Sequence, residues 1–400
     1  MAMEPPALPT VDDLEIEGRR VLVRCDLNVP LGQGRITDDL RIRASLPTLE
    51  ALLDRGARLA VCSHLGRPKG QVKEELRLAP VGIRLAELLG REVRAVSDIV
   101  GDEASKACES DTDVVLLENL RFDPGEEKND EAFAQALADL ADAYVNDAFG
   151  ASHRAHASIV GVPERLPSAA GYLLANEVKT LERLLHEPER PFVAVLGGAK
   201  VSDKLGVIAN LLDRVDVICV GGAMAFTLLK AQGKNVGRSR VEDDRVEEVA
   251  GVLKAAEGKG VEILLPEDVV AADSIEEGEE YANAPLTEIG RRMGVDIGPE
   301  ARAAFARRIR TAKSILWNGP MGIFEIEAYA RGTKAVTEAI AEATKNGAFT
   351  VAGGGDSAAA LAAFDMTDAV THLSTGGGAS LELLEGRELP GVAVLRKDGA

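Results

Sequence analysis

The sequence is poor in the features that mark most specialised classes of protein. Only four of its 400 residues are cysteines, Cys25, Cys62, Cys108 and Cys219, with neither C-x-x-C spacing nor histidine partners. That pattern argues against a disulfide framework or a zinc site and predicts reduced, mostly buried thiols of a cytoplasmic protein. No uninterrupted apolar run is long enough to span a bilayer, so no membrane partner is expected. The opening MAMEPPALPTVDDLE has neither a basic n-region nor an apolar h-region, and a signal peptide is not expected. Positive charge is in deficit: 46 Lys and Arg stand against 65 Asp and Glu, for a net charge of −19. Nucleic acid is therefore a poor partner, and an anionic substrate has to be met by a local concentration of arginine and lysine. Internal repeats and low-complexity segments are absent too.

What is present is a repeated alternation. Runs rich in Val, Leu and Ile (VLVRCDL at 21–27, RLAVCSHL at 58–65, EVRAVS at 92–97, DVVLLENL at 113–120, AYVNDAF at 143–149) are separated by stretches of helical period. In one of these, RIRASLPTLEALLDRG, Asp38 or Asp39 is a candidate start cap and Gly56 a stop. Near-continuous apolar strands with helices between them predict a parallel sheet covered on both faces. After the helical stretch ANEVKTLERLLHEPERP the alternation restarts with FVAVLGG, VDVICVGG, VEILLPEDVV, SILWNGPMG, FTVAGGG and THLSTGGG. The chain is long for one core, so the expected fold is α/β, with two doubly wound (Rossmann-like) parallel-sheet domains joined by a hinge helix. The acidic stretches EDDRVEEVA and SIEEGEEYANAPLTE read as solvated surface, and Trp317 as core.

Chemistry-bearing residues concentrate just past the predicted strands, where open α/β sheets bind ligands. Strand one ends in Asp26 and Asn28 and strand two in HLGRP (64–68), while Arg121 follows the fourth run and GASHRAHAS (150–158) the fifth. With Arg41 this places Arg41, Arg67, Arg121, Arg154 and His64 around one candidate cleft, and arginine forks suit carboxylate and phosphate oxygens. The second half instead offers glycine turns running into helices, at VAGGGDSAAALAAF (351–364) and THLSTGGGASLELLEG (371–386). Such turns aim unpaired N–H groups at an anion. Neither carries the lysine of a Walker A loop, but GGAKVSDK supplies Lys200 and Lys204, whose spacing predicts one face of a starting helix. Asp356 is a candidate ligand for a divalent metal, and Glu325 a carboxylate for ribose hydroxyls. A polyanion cleft and a nucleotide cleft on separate domains outline a phosphoryl-transfer enzyme. Two other readings remain open on these residues. One is another nucleotide-dependent α/β enzyme, a different phosphotransferase or a dehydrogenase, of which the dehydrogenase wants G-x-G-x-x-G after an early strand, where this chain has DLNVP. A non-enzymatic two-domain anion-binding protein needs neither Lys200 nor Asp356.

The ordered set VLVRCDLNVP, ITDDLRIRASLPT, SHLGRP, ENLRF, GASHRAHAS, GGAKVSDK, WNGPMGIFE, GGGDS and STGGGAS resembles phosphoglycerate kinase from about residue 11 to about 395. The resemblance implies reversible, Mg2+-dependent transfer of the acyl phosphate of 1,3-bisphosphoglycerate to ADP, giving 3-phosphoglycerate and ATP. It implies a 3-phosphoglycerate-binding domain at 1–174 with the tail 387–400 packing back on it, a hinge helix at 175–190 and a nucleotide-binding domain at 191–386. On the substrate side it marks Asp26, Asn28, Arg41, His64, Leu65, Gly66, Arg67, Arg121 and Arg154. For the nucleotide it marks Lys200, Lys204, Gly221, Gly222, Asn318, Glu325, Gly354, Gly355, Asp356 and Ser357, with Asp356 as the Mg2+ ligand. Arg41, Lys200, Gly376 and Gly377 are the expected catalytic groups. A monomer that closes about its hinge is expected. Leu27 departs from the family's usual phenylalanine, and Ser357 replaces a frequent threonine.

Overall fold

The computed structural model describes residues 7–32, 34–276 and 280–397. The strands predicted from apolar runs form, but each keeps only the part of its run that is hydrogen-bonded to a neighbour, the first also taking in Arg20. In the first half they are β1 (Arg20–Arg24), β2 (Arg58–Cys62), β3 (Arg94–Ala95), β4 (Val114–Leu116) and β5 (Ala143–Asn146). A short strand that the pattern did not flag, β6 (Ser168–Ala170), completes a six-stranded sheet. The order is β3-β4-β2-β1-β5-β6, and every pair is parallel. Apolar side chains fill both faces. Val21, Val23, Val61 and Val145 join Ile42, Leu49 and Leu52 of the helix Leu40–Asp54 in one core, and the alternating Leu22, Ala60 and Tyr144 are buried as well. Removing a valine- or leucine-sized side chain from water contributes about 1.5–3 kcal/mol each, and the polar Arg20, Arg24 and Asn146 that the strands do carry are themselves buried and hydrogen-bonded.

The second half repeats the plan with β7 (Phe192–Leu196), β8 (Val217–Val220), β9 (Glu262–Leu264), β13 (Ser314–Asn318), β14 (Phe349–Gly353) and β15 (His372–Leu373). They lie in the order β9-β8-β7-β13-β14-β15, again all parallel. The expected α/β fold with two parallel sheets is thus present. The reading of VEILLPEDVV as one strand is corrected: it breaks before Pro266, and its second half becomes β10 (Asp268–Ala272). That strand pairs antiparallel with β11 (Tyr281–Pro285) and β12 (Met293–Ile297). Part of SIEEGEEYANAPLTE is therefore sheet, with Ala284 buried, although Tyr281 stays exposed; residues 277–279 lie outside the described residues. EDDRVEEVA likewise runs into a helix, Val246–Lys259, that buries Val249. The four thiols are free and buried, and Trp317 is fully enclosed, donating its indole N–H to the Gly319 carbonyl at 2.9 Å.

Two compact units result, one running to Lys179 and taking back the chain from Glu388, the other Thr180–Arg387. The division falls inside the helix Tyr172–His186. Its start is held within the first unit: Asp147, just past β5, accepts from Thr48 Oγ1 at 2.8 Å and from Leu173 N at 3.0 Å, while Tyr172 N donates to Thr48 Oγ1 at 2.9 Å. The returning tail is tied to the same unit, Gly391 N donating to the Ser152 carbonyl at 2.9 Å and Asn146 Nδ2 to the Gly391 carbonyl at 3.3 Å. In the helix Leu40–Asp54 it is Asp38 whose carboxylate caps, accepting from Leu40 N at 2.8 Å; Asp39 turns to Arg43 and Arg84 instead.

Burial pushes the Asp147 carboxyl up to about 7, the bonds from Thr48 and the helix start opposing it. Burial does the same to Asp296, also to about 7, against bonds from Gly332 and Ile297. A carboxyl raised above its unfolded value keeps its proton in the fold while the unfolded chain has lost it. Stability from this source is full below about pH 4 and declines until about pH 7. Asp147→Asn keeps an acceptor for Thr48 and Leu173 but cannot ionise. Its calorimetric melting temperature should fall less between about pH 5 and pH 8 than that of the parent, and an equal fall would show that Asp147 does not titrate there.

Candidate functional site

In the first unit the charged residues gather beyond the C-terminal ends of β1, β2, β4 and β5. Asp26 is buried and accepts from Arg41 NH1 at 2.6 Å, which orients a guanidinium that stays about one-third exposed. Asn28 fixes the next loop by accepting from Gly66 N at 2.9 Å, and Arg121 donates to the Gly66 carbonyl at 2.8 Å. Leu65 is buried and tied by its N–H to Asn119 Oδ1 at 3.1 Å. Arg67 is exposed beside it. Arg154 donates to His153 Nε2 at 3.2 Å.

Arg24, Arg121 and Arg41 all bear on the buried His64 and, after burial itself, hold its pKa well below the usual imidazole value. Burial, then Arg154 and Arg24, lowers Arg121 to about 10. Arg41, Arg121, Arg154 and His64 are thus brought together. Arg24, which the sequence reading passed over as part of a strand, stands among them with no exposed surface.

In the second unit the glycine turns converge at the same edge of their sheet. A cavity of about 340 Å³ is lined by Gly197, Gly198, Lys200, Lys204, Asn318, Gly354, Gly355, Asp356, Ser357 and Gly377. A second of about 350 Å³ is largely apolar, with Phe226, Pro266, Val269, Met293 and Met321 in its walls and Gly222, Glu325 and Asp356 at it. The turns touch backbone to backbone. A Cβ on Gly222, which holds φ +66°, would lie 2.6 Å from the amide nitrogen and carbonyl oxygen of Gly198; one on Gly319 would lie 2.4 Å from the Gly197 carbonyl. On Gly221 it would meet the Met321 sulfur at 2.5 Å.

Two predicted ligands spend their polar groups on this frame. Asn318 Nδ2 donates to the Gly353 carbonyl at 2.8 Å, and Ser357 Oγ accepts from Gly319 N at 2.8 Å. Gly376 N likewise donates to Ser374 Oγ at 3.2 Å, and of that pair it is Gly377 that lines the cavity.

The expected helix face carrying both lysines is corrected: the helix starts only at Leu205, and Lys200 and Lys204 lie in the turn before it. Lys200 is exposed, whereas Lys204 is buried. Glu242, read from sequence as solvated, braces that turn by accepting from Ser202 Oγ at 2.7 Å and Ser202 N at 3.1 Å. No group of three or more His, Cys, Asp or Glu able to hold a metal occurs among the described residues. Asp356 is the one carboxylate that lines both cavities, and it is exposed, which fits a Mg2+ ion carried mainly by phosphate oxygens and waters with one protein carboxylate.

The sequence model of the family described as phosphoglycerate kinase matches residues 11–387. The chain belongs to the phosphoglycerate kinase family. It is accordingly a kinase, a phosphotransferase of glycolysis. The phosphoglycerate kinase of Thermomicrobium roseum is 57% identical over 392 residues, 97% of this chain and 99% of that one. That of Rubrobacter xylanophilus is 56% identical over 388 residues, 96% and 97% of the two chains. Among solved structures, phosphoglycerate kinase from Coxiella burnetii superposes with a TM-score of 0.89 at 39% identity, covering 98% of this chain and 100% of that one. The enzyme from Pyrococcus horikoshii gives 0.82 at 32% identity, with the same two coverages of 98% and 100%.

Burial lowers the Lys204 ammonium to about 8, Asp203 and Asp356 opposing it. In protein labelled with 13C-lysine, one Cε resonance, assigned by its loss in Lys204→Arg, should titrate near pH 8. A midpoint at the ordinary lysine value of about 10.4 would show that the side chain is solvated.

Proposed function

We propose that the arginine cluster of the first unit holds 3-phosphoglycerate or 1,3-bisphosphoglycerate, and that the glycine turns of the second hold Mg-ADP or Mg-ATP. The reaction breaks the acyl phosphate P–O bond and forms a bond from that phosphorus to a terminal oxygen of ADP. The carboxylate of 3-phosphoglycerate leaves, and the sequence runs equally in reverse. What carries this reading is the convergence of Arg24, Arg41 and Arg121 on His64, with Arg154 acting on Arg121, in a chain whose net charge is −19. Asp26, Asn28, Leu65, Gly66 and Arg67 shape and complete that substrate site. Metal bound with the nucleotide neutralises phosphate charge, and Asp356 is the protein's ligand to it. Lys204, Gly221, Gly222, Asn318, Gly354, Gly355, Ser357 and the Glu325 carboxylate shape the nucleotide side. Chain 1–174 with the tail 387–400, and chain 191–386, are the two ligand-holding domains, with 175–190 as the hinge. We read the enzyme as a cytoplasmic monomer, the four buried thiols supporting a reducing compartment.

Phosphoryl transfer of this kind needs no covalent nucleophile; positioning and charge do the work. Arg41 reaches the moving group from the substrate side, and Lys200, an exposed and mobile point charge, from the nucleotide side. The amides of Gly376 and Gly377 add dipoles to the same charge.

Lys200→Ala should lower kcat by about two to three orders of magnitude with a much smaller change in ADP affinity. Arg41→Ala should reduce turnover more than 3-phosphoglycerate affinity, since the other arginines and His64 still hold the ligand. Near-normal kcat with only a raised KM in either variant would reduce that residue to an anchor. Reacting atoms must also come within about 3–3.5 Å of each other, so the hinge should close when both ligands bind and only partly with either alone. Small-angle scattering reads this as a smaller radius of gyration with both ligands, and no change would refute closure.

A further inference from the structure

Behind His64 runs a file of buried groups that, Arg24 apart, the proposed reaction does not use. Arg24, the last residue of β1, donates from Nε to Ser158 Oγ at 2.8 Å, from NH1 to the Cys25 carbonyl, and from NH2 to His64 Nδ1 at 3.1 Å. Ser158 Oγ is 2.6 Å from Glu126 Oε1, and Ser158 N donates to Glu126 Oε2 at 3.0 Å. Arg24, Ser158 and Glu126 are all fully buried. Ser158 lies in a single π-helical turn, Ala157–Gly161, where Tyr144 Oη donates to its carbonyl at 2.6 Å. His156 Nδ1 lies 3.7 Å from Glu126 Oε1, near the same carboxylate.

The donor inventory gives this file one direction. A guanidinium has five N–H donors and no acceptor. The single Ser158 hydroxyl proton therefore goes to Glu126, while its lone pair receives Arg24 Nε. At the other end, His64 Nδ1 can meet Arg24 only through a lone pair; a proton there would set donor against donor at 3.1 Å. A neutral His64 must then carry its proton on Nε2, which has no hydrogen-bond partner among the described residues. Protonating both nitrogens is opposed by burial and by Arg24, Arg121 and Arg41. Although burial raises the Glu126 carboxyl, His156, Arg24 and Ser158 outweigh it and keep it below the usual range, so it stays an acceptor.

We propose that Glu126 is a positioning residue which, through Ser158 and Arg24, locks His64 in its Nε2–H tautomer, so that the ring donates to the bound phosphoglycerate. The inference rests on the reading that His64 faces that ligand. A buried Glu–Arg pair is often no more than charge balance. The distinguishing feature here is the one-way order of donors ending on an imidazole.

The test is ring-nitrogen NMR of histidine-labelled enzyme, with His64 assigned by His64→Gln. The unmodified enzyme should show Nδ1 as a bare, lone-pair nitrogen and Nε2 protonated; a protonated Nδ1 would overturn the proposal without any variant. Ser158→Ala breaks the file while Glu126 and Arg24 keep each other's charge. It should populate the Nδ1–H tautomer and raise KM for 3-phosphoglycerate about tenfold, the scale of one hydrogen bond to a charged group, with KM for ATP unchanged. Ser158→Thr should restore both, and Glu126→Gln should shift the ring as Ser158→Ala does. Unshifted ring nitrogens in Ser158→Ala and Glu126→Gln, whatever happens to KM, would make the file merely structural and overturn the proposal. A shifted ring with an unchanged 3-phosphoglycerate KM would uphold the relay and instead overturn the placing of His64 on that ligand.

Discussion

A parallel sheet buried on both faces can display chemistry only where its strands end. Both six-stranded sheets of this protein obey that constraint, and everything reactive follows from it. Side chains within the strands are consumed by packing, so the loops beyond Arg24, Cys62, Leu116 and Asn146 carry the first cluster, and those beyond Leu196, Val220, Asn318 and Gly353 the second. Since the strands of each sheet run the same way, their polar ends cannot avoid meeting at one edge.

The constraint also creates an electrostatic problem, because like charges that meet at one edge repel. The first unit answers it with carboxylate partners, of which Asp26 and Glu126 are buried and Glu127 is exposed. Asp26 faces Arg41 at 2.6 Å, and Arg121 has Glu127 at 3.4 Å. Arg24 reaches the Glu126 carboxylate only through Ser158. Full neutralisation would abolish the attraction for an anion. What remains is a positive surplus in an acidic chain, the condition for capturing a polyanion while keeping the rest of the surface repulsive to nucleic acid.

The sequence disclosed the strand runs, the helix in which the two units divide and the loop arginines, because hydrophobic period and strand-end placement are local signals. It did not disclose Arg24 as part of the cluster, since an arginine inside VLVRCDL looks like any outward-facing strand residue. Nothing local links Glu126 or Ser158 to it across more than a hundred positions. The antiparallel sheet was half legible: Pro266 inside ILLPEDVV is a residue that interrupts a ladder, but the pairing of β10 with β11 and β12 depends on tertiary contacts. The turn holding Lys200 and Lys204 misled through spacing alone, because an interval of four suggests a helix equally well whether or not the backbone makes one.

The backbone contact among Gly197, Gly198, Gly222 and Gly319 has a bearing on how the glycine-turn region of the second unit is able to change over generations. Neighbouring loops in most sites are separated by side chains, and a substitution in one is absorbed by a rotamer of the other. Here the loops mesh main chain to main chain, with no such cushion. A single exchange at Gly222 or Gly319 displaces the opposite loop outright, and no second exchange makes room, because the atoms in the way belong to peptide groups common to all residues. This region is thus cut off from stepwise drift, and variation in what it accepts must enter through the apolar wall around Phe226, Val269 and Met293.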